Sequence, residues 1–271
     1  LTNFRSVIES DGVERVRSDD GLSIALWRSG RGKSLVAVHG VTVDHSSWEA
    51  VRPIIERVAT VVAIDRRGHG ASDLGSDSYS LALEVADLAA VIESCGGPVD
   101  LLAHSYGGLI ALEAALLGHP IDHLIVYEPS IDDDPTFPGV LKRVSELVDS
   151  GQKERAAETL LVERSGVPLE ALSAVRGLPL WSIVLQGVEV LPREGNAILD
   201  YRFEPDRFAR LNVPTLVLLG EQSPDWRDRA MRALDGALPD SELHVLAGQG
   251  HLATHTAPDL LAEEILRFLG R

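Results

Sequence analysis

Leu101-Leu102-Ala103-His104-Ser105-Tyr106-Gly107-Gly108 runs from an apolar strand into a helix, with a serine at the corner. Val99 to Ala103 is apolar enough for a parallel strand covered on both faces, and Leu109-Ile110-Ala111-Leu112-Glu113-Ala114-Ala115-Leu116 supplies strong helix formers directly after it. Small residues around Ser105 let strand and helix approach closely while the serine takes a strained conformation that exposes its hydroxyl.

The same rhythm extends in both directions. Short apolar runs alternate with helical patterns from about residue 34 onward, the arrangement of a mostly parallel sheet covered by helices on both faces. Strands are predicted at Ser34 to His39, Val61 to Asp65, Val99 to His104, His123 to Tyr127, Thr215 to Leu219 and Glu242 to Leu246. Val13 to Arg17 and Leu22 to Arg28 read as a hairpin turned by Asp19-Asp20-Gly21. Apolar residues at helical spacing predict helices over Ser46 to Val58, Ser80 to Ser94, Asp225 to Leu238 and Pro258 to Leu269.

One segment breaks the rhythm. From Ile131 to about Pro205 there are helical patterns but no convincing strand, and prolines and glycines punctuate the run. It is read as a helical cap spanning 131–205, inserted into an α/β core formed by 1–130 and 206–271.

Composition narrows the function classes. The 271 residues, 45% of them hydrophobic, can bury a substantial core. Lys+Arg 25 against Asp+Glu 41 leaves a formal net charge of −16, which argues against nucleic acid or an anionic membrane as partner. No run is long and apolar enough to span a bilayer, and the charged Leu1 to Asp20 stretch lacks a signal-peptide pattern, so a cytoplasmic monomer or homodimer is expected. Cys95 is the single cysteine, which excludes an intramolecular disulfide and a cysteine metal cluster. Asp44-His45 and Asp122-His123 are isolated pairs without metal-ligand spacing, so neither metal nor cofactor is expected. Gly30-Arg31-Gly32-Lys33-Ser34 is no phosphate loop: Trp27 stands where its first glycine belongs, and the loop precedes its strand.

The corner Ala103-His104-Ser105-Tyr106-Gly107 resembles the nucleophile elbow of the α/β-hydrolase family, G-x-S-x-G, with Ala103 in place of the first glycine. Asp65-Arg66-Arg67-Gly68-His69-Gly70-Ala71-Ser72-Asp73 is similar to that family's D-x-R-G-H-G-x-S-D signature, and His39-Gly40-Val41 to its H-G-x loop. The resemblance covers nearly the whole chain except the cap. It implies that Ser105 is the nucleophile, that the backbone N–H groups of Val41 and Tyr106 form the oxyanion hole, and that His39 braces its loop. His251, in Gly248-Gln249-Gly250-His251 before the terminal helix, stands where the family keeps its general base. His39 and Trp181 are candidate pocket residues, and packing in the core of the cap is the competing reading for Trp181.

The acid departs from the usual pattern. Most members of the family carry aspartate in a G-x-x-D pattern after the seventh strand, whereas Gly220-Glu221-Gln222-Ser223 ends in serine. Glu128 ends the sixth predicted strand in Val126-Tyr127-Glu128-Pro129, and the carboxyl ends of neighbouring parallel strands open on one crevice, which favours Glu128. Asp225 is the alternative, two residues beyond Ser223 but past Pro224, at the onset of a helix. The expected reaction is hydrolysis of a small-molecule carboxylic ester or lactone through an acyl-enzyme. Carbon–carbon bond hydrolysis and cofactor-free perhydrolysis on the same triad remain open, as does a non-catalytic small-molecule receptor on the same scaffold.

Overall fold

The computed structural model describes residues 7–8, 13–76, 78–131, 134–178 and 180–270. Most of the Leu1 to Gly12 portion of the N-terminal stretch, the first two residues of the Asp132-Asp133-Asp134 run and Pro179 lie outside the described residues. Among the described residues nine strands form one sheet: β1 Val7–Ile8, β2 Glu14–Arg17, β3 Ser23–Gly30, β4 Ser34–Val38, β5 Thr60–Ile64, β6 Val99–His104, β7 Ile121–Tyr127, β8 Thr215–Gly220 and β9 Ser241–Leu246. Their order is β1-β2-β3-β5-β4-β6-β7-β8-β9; β4 through β9 are mutually parallel, and β1 to β3 join antiparallel at one edge. The two-residue β1 carries too little pattern to be read from sequence.

Alternation along the central strands assigns each side chain to a face. Val36 and Val38 of β4, Leu101 and Ala103 of β6, and Val217 and Leu219 of β8 share one buried cluster. Leu35, Ala37, Leu102, Leu216 and Leu218 share the opposite one. Helices cover both. On the first face pack α2 Leu81–Ser94, α3 Tyr106–Leu116 and α10 Asp225–Ala237; on the second pack α1 Arg52–Ile55, α11 Ala253–Thr256 and α12 Pro258–Phe268. The predicted helix Ser46 to Val58 is broken. It is a 3-10 turn, His45–Trp48, followed by the short α1, because Pro53 has no N–H to donate and is accommodated only in a first helical turn.

Between β7 and β8 lie α4 Phe137–Asp149, α5 Lys153–Glu163, α6 Leu172–Arg176, α7 Leu180–Gly187, α8 Leu191–Asp200 and α9 Pro205–Phe208, with no strand among the described residues. They enclose a small core of their own, in which Phe137, Val140, Leu141 and Val144 meet Leu160, Val188 and Leu191. A buried ionic knot ties this layer to the sheet. Glu194 of α8 accepts from Arg66 Nη2 at 2.5 Å and meets His69 Nε2 at 2.7 Å, and Arg66 also reaches Glu84 of α2 at 3.3 Å. The Arg66 charge holds the Glu194 carboxyl below its ordinary pKa despite burial. Removing one member of such a knot strands a desolvated charge. Glu194→Ala is therefore expected to cost about 3–5 kcal/mol of stability, read as a fall in urea midpoint at unchanged m-value.

The strand order also sets where a site can form. β5 lies on one side of β4 and β6 on the other, so the chain reverses direction across the sheet between them. At such a switch point the loops leaving the carboxyl ends diverge and open a crevice. The loop after β4 carries Val41 and the turn after β6 carries Ser105.

Candidate active site

Ser105 joins β6 to α3 with φ 54° and ψ −121°, a conformation that L-residues rarely adopt. The turn is over-determined by its neighbours. Ser105 N donates to Tyr127 O at 3.0 Å, Ser105 O accepts from Ser130 N at 3.0 Å, and α3 runs so close to β4 that a Cβ on Gly107 would sit 2.4 Å from His39 O. Among the described residues two other non-glycine residues have positive φ, Thr42 at 60° and Glu128 at 45°. All three fall in the loops at the carboxyl ends of β4, β6 and β7, where backbone strain can aim side chains into the crevice.

Glu128, His251 and Ser105 form one continuous chain of hydrogen bonds. His251 Nδ1 lies 2.6 Å from Glu128 Oε2, and His251 Nε2 lies 3.2 Å from Ser105 Oγ. With Nδ1 protonated toward the carboxylate, Nε2 is the acceptor for the serine hydroxyl, which is the tautomer that proton abstraction requires. The histidine loop is fixed from below: Tyr127 Oη donates to Gly250 O, and His104 Nε2 contacts His251 O at 3.0 Å.

Ser223, where the sequence pattern lacks its aspartate, hydrogen-bonds to Glu128. Its Oγ donates to Glu128 Oε1 at 2.5 Å, and Gly220 N donates to the same oxygen at 2.8 Å. Arg227 of α10 completes the seat, 3.2 Å from Glu128 Oε2 and only 2% exposed. Asp225 is not at the histidine. It is exposed at the start of α10, directly after Pro224, whereas the carboxylate bonded to His251 Nδ1 is that of Glu128.

Among the described residues the amides of Val41 and Tyr106 have no backbone or side-chain acceptor in the protein, and both flank Ser105 in the crevice. Tyr106 is the first residue of α3, where the N–H lacks an intrahelical acceptor and the helix dipole favours negative charge. This pair can receive an oxyanion. His39 is fully buried and lines no cavity at Ser105: its Nδ1 bonds Gly40 O at 2.7 Å and its Nε2 accepts from Arg66 N at 3.0 Å. It is a brace, which corrects its candidacy as a pocket residue. Trp181 is likewise displaced from the pocket, since it packs with Leu252 against Leu161, Val167 and Leu172. Asp44, His45 and Asp65 cluster, but Asp65 is already committed to the His45 and Ala71 amides and to His45 Nδ1.

A small cavity of about 20 Å³ adjoins Ser105 and His251, with Val41, Phe137, Leu191 and Ile198 in its wall. Ser130, Ser165, Arg164 and Arg227 line it too. A groove of about 830 Å³ shares Phe137 and Ile198 with it as lining. Burial lowers the His251 pKa well below its ordinary 6.5, and the charges of Arg227 and Arg164 lower it further. Protonated His251 cannot accept the serine proton, so the acid limb of kcat/KM is expected below pH 6.5. Arg227→Met removes a cation that disfavours imidazolium, so the limb should move to higher pH; a pH–rate profile checks both.

The sequence profile of the alpha/beta hydrolase family matches residues 35–264. A pimeloyl-[acyl-carrier protein] methyl ester esterase from Aeromonas hydrophila is 26% identical over 92% of this chain and 100% of its own. An alpha/beta hydrolase structure from Sphaerobacter thermophilus is 30% identical, covers 94% of this chain and 99% of its own, and gives a TM-score of 0.83. The enol-lactonase from Burkholderia xenovorans, 16% identical, shares the fold with a TM-score of 0.80 over 95% of this chain and 100% of its own.

Proposed function

The chain belongs to the alpha/beta hydrolase family, and from that premise we propose that it is a serine hydrolase cleaving a small-molecule carboxylic ester or lactone through an acyl-enzyme on Ser105. The observation that carries the reading is the unbroken relay from Glu128 Oε2 through His251 to Ser105 Oγ, with hydrogen-bond lengths of 2.6 and 3.2 Å.

In this reading Ser105 Oγ attacks the carbonyl carbon as His251 Nε2 takes its proton. Glu128 offsets the positive charge on the imidazole, and the amides of Val41 and Tyr106 hold the oxyanion. Collapse expels the alcohol, protonated by His251. Water enters, gives a proton to Nε2, and its oxygen attacks the acyl carbon, releasing the acid and restoring Ser105. Aspartate chemistry of the dehalogenase or epoxide hydrolase kind is excluded by the serine at 105.

The helical segment 131–205 acts here as a cap. A space of about 20 Å³ admits little more than a water, and α4 and α8 contribute Phe137, Leu191 and Ile198 to its wall. Substrate entry therefore displaces these helices, and the groove that shares Phe137 receives the remainder of a larger substrate.

A panel of p-nitrophenyl esters and simple lactones tests the reaction class. Turnover of at least one ester or lactone, lost in Ser105→Ala, is expected. Stoichiometric binding without turnover, unaffected by Ser105→Ala, would place the protein among receptors instead.

A further inference from the structure

The space around Ser105 has a charge character opposite to that of the chain. Acidic residues outnumber basic ones by 41 to 25, yet this cavity is lined by Arg164 and Arg227, and no carboxylate is among the described residues that line it. Both arginines are buried, Arg164 8% and Arg227 2% exposed. Placing two guanidinium groups in a narrow chamber requires anions nearby, and the fold supplies them from behind. Asp134 Oδ2 lies 2.9 Å from Arg164 Nη1, and Glu128 Oε2 lies 3.2 Å from Arg227 Nη1. In each pair the cation lines the chamber and the carboxylate does not.

Aromatic rings flank the guanidinium groups as well. Arg164 lies over the Phe137 ring at 4.6 Å and the Trp226 ring at 4.5 Å, and Arg227 lies over Trp226 at 4.4 Å. Both cations therefore contact the same indole. A guanidinium carries five N–H donors on a planar fork, so it can serve a carboxylate of the fold along one edge and a ligand along another. Two hydroxyls share the chamber: Ser165, next to Arg164, and Ser130, whose Oγ lies 3.4 Å from Ser105 Oγ. The charges reach the reacting groups, since both arginines disfavour protonation of His251.

We propose that the substrate of this site carries a carboxylate a few bonds from its scissile carbonyl, bound, in the chamber as widened by displacement of α4 and α8, by Arg164 and Arg227 with Ser130 and Ser165 as further hydrogen-bond partners. This rests on the ester-hydrolase reading and narrows it to half-esters of short dicarboxylic acids or lactones bearing a carboxylate. A neutral acyl group of the same shape offers the two guanidinium groups only an uncharged acceptor. Charge-assisted hydrogen bonds of this kind correspond to about tenfold or more in kcat/KM.

Monomethyl succinate and methyl levulinate form the test pair, because an acetyl group replaces the carboxylate at nearly constant shape. Wild-type kcat/KM, followed by pH-stat, is expected to favour monomethyl succinate at least about tenfold, mainly through KM. Arg164→Gln should lower that ratio about tenfold, and Arg164→Lys should keep part of it, retaining charge but losing the fork. Succinate alone should raise the melting temperature of wild type and of Ser105→Ala, and less so of Arg164→Gln, which gives a readout independent of turnover and decides the matter if neither ester reacts. Equal or faster hydrolysis of methyl levulinate by wild type, or no stabilisation by succinate, overturns the proposal. Inorganic phosphate stabilising as well as succinate overturns it in favour of a phosphate-bearing substrate. If these results fail while a fluorophosphonate still labels Ser105, the carboxylate site is lost and the hydrolase reading stands; absence of labelling removes the hydrolase reading itself.

Discussion

Ser105→Ala is expected to lower kcat/KM for every substrate found in the ester and lactone panel by about 10⁴- to 10⁶-fold, with the folded state intact. The size follows from the geometry. Ser105 Oγ is the hydroxyl within hydrogen-bond reach of His251 Nε2 at 3.2 Å, and without it the imidazole can activate only a water that no covalent bond holds in place. Stability should be retained because the elbow is fixed through backbone bonds at Ser105 N and O, which alanine keeps. Retained activity in a correctly folded Ser105→Ala protein would remove the acyl-enzyme from the mechanism.

Glu128→Gln carries the second large effect, a fall in kcat of about 10⁴-fold with little change in KM. The amide is nearly isosteric but cannot balance an imidazolium, and its NH₂ end can turn toward Nδ1 and invert the tautomer. The protonated Nε2 then faces Ser105 as a donor, the wrong polarity for abstraction. Asp225→Asn is expected to stay within about twofold of wild type, as befits an exposed helix-start residue when His251 Nδ1 is already bonded to Glu128. The opposite ranking would assign the acid to Asp225 and leave Glu128 as a buried structural carboxylate.

How much of this is legible in the sequence depends on whether the signal is local. Ser105 is readable because strand, small residues and helix formers succeed one another within the Leu101 to Leu116 stretch, and the strained φ is a consequence of that order. Val41 and His251 are readable as loops following apolar strands. Glu128 needs one non-local step, from the serine at 223 to the neighbouring strand, and β7 does lie beside β8 in the sheet. The use of Ser223 is invisible at that level. A missing carboxylate marks an absence in sequence, whereas the hydroxyl bond to Glu128 Oε1 exists only once β7 and β8 are paired.

Arg164 and Arg227 escape a sequence reading for a related reason. One follows α5 and the other lies in α10, where arginine is an ordinary helix former, and nothing nearby in the chain marks them as facing a chamber. The approach of Arg164 to Trp226, which brings it beside Arg227, is a product of tertiary packing. His39 and Trp181 show how a pocket reading competes with a packing one. Proximity in sequence to a catalytic loop or an apolar helical run suggests a pocket, but one ring is spent holding Gly40 and Arg66 and the other fills a hydrophobic cluster. Helix 46–58 reads too long because hydrophobic spacing continues through Pro53 while the backbone hydrogen bonds do not.

The central claim is that His251, seated on Glu128, makes Ser105 a nucleophile, and a fluorophosphonate probe followed by peptide mapping by mass spectrometry tests it most directly. The account predicts a single covalent adduct on the peptide bearing Ser105 in wild type, its absence in Ser105→Ala, and labelling slowed by orders of magnitude in Glu128→Gln. No adduct on wild type, or an adduct on a different residue, would contradict it.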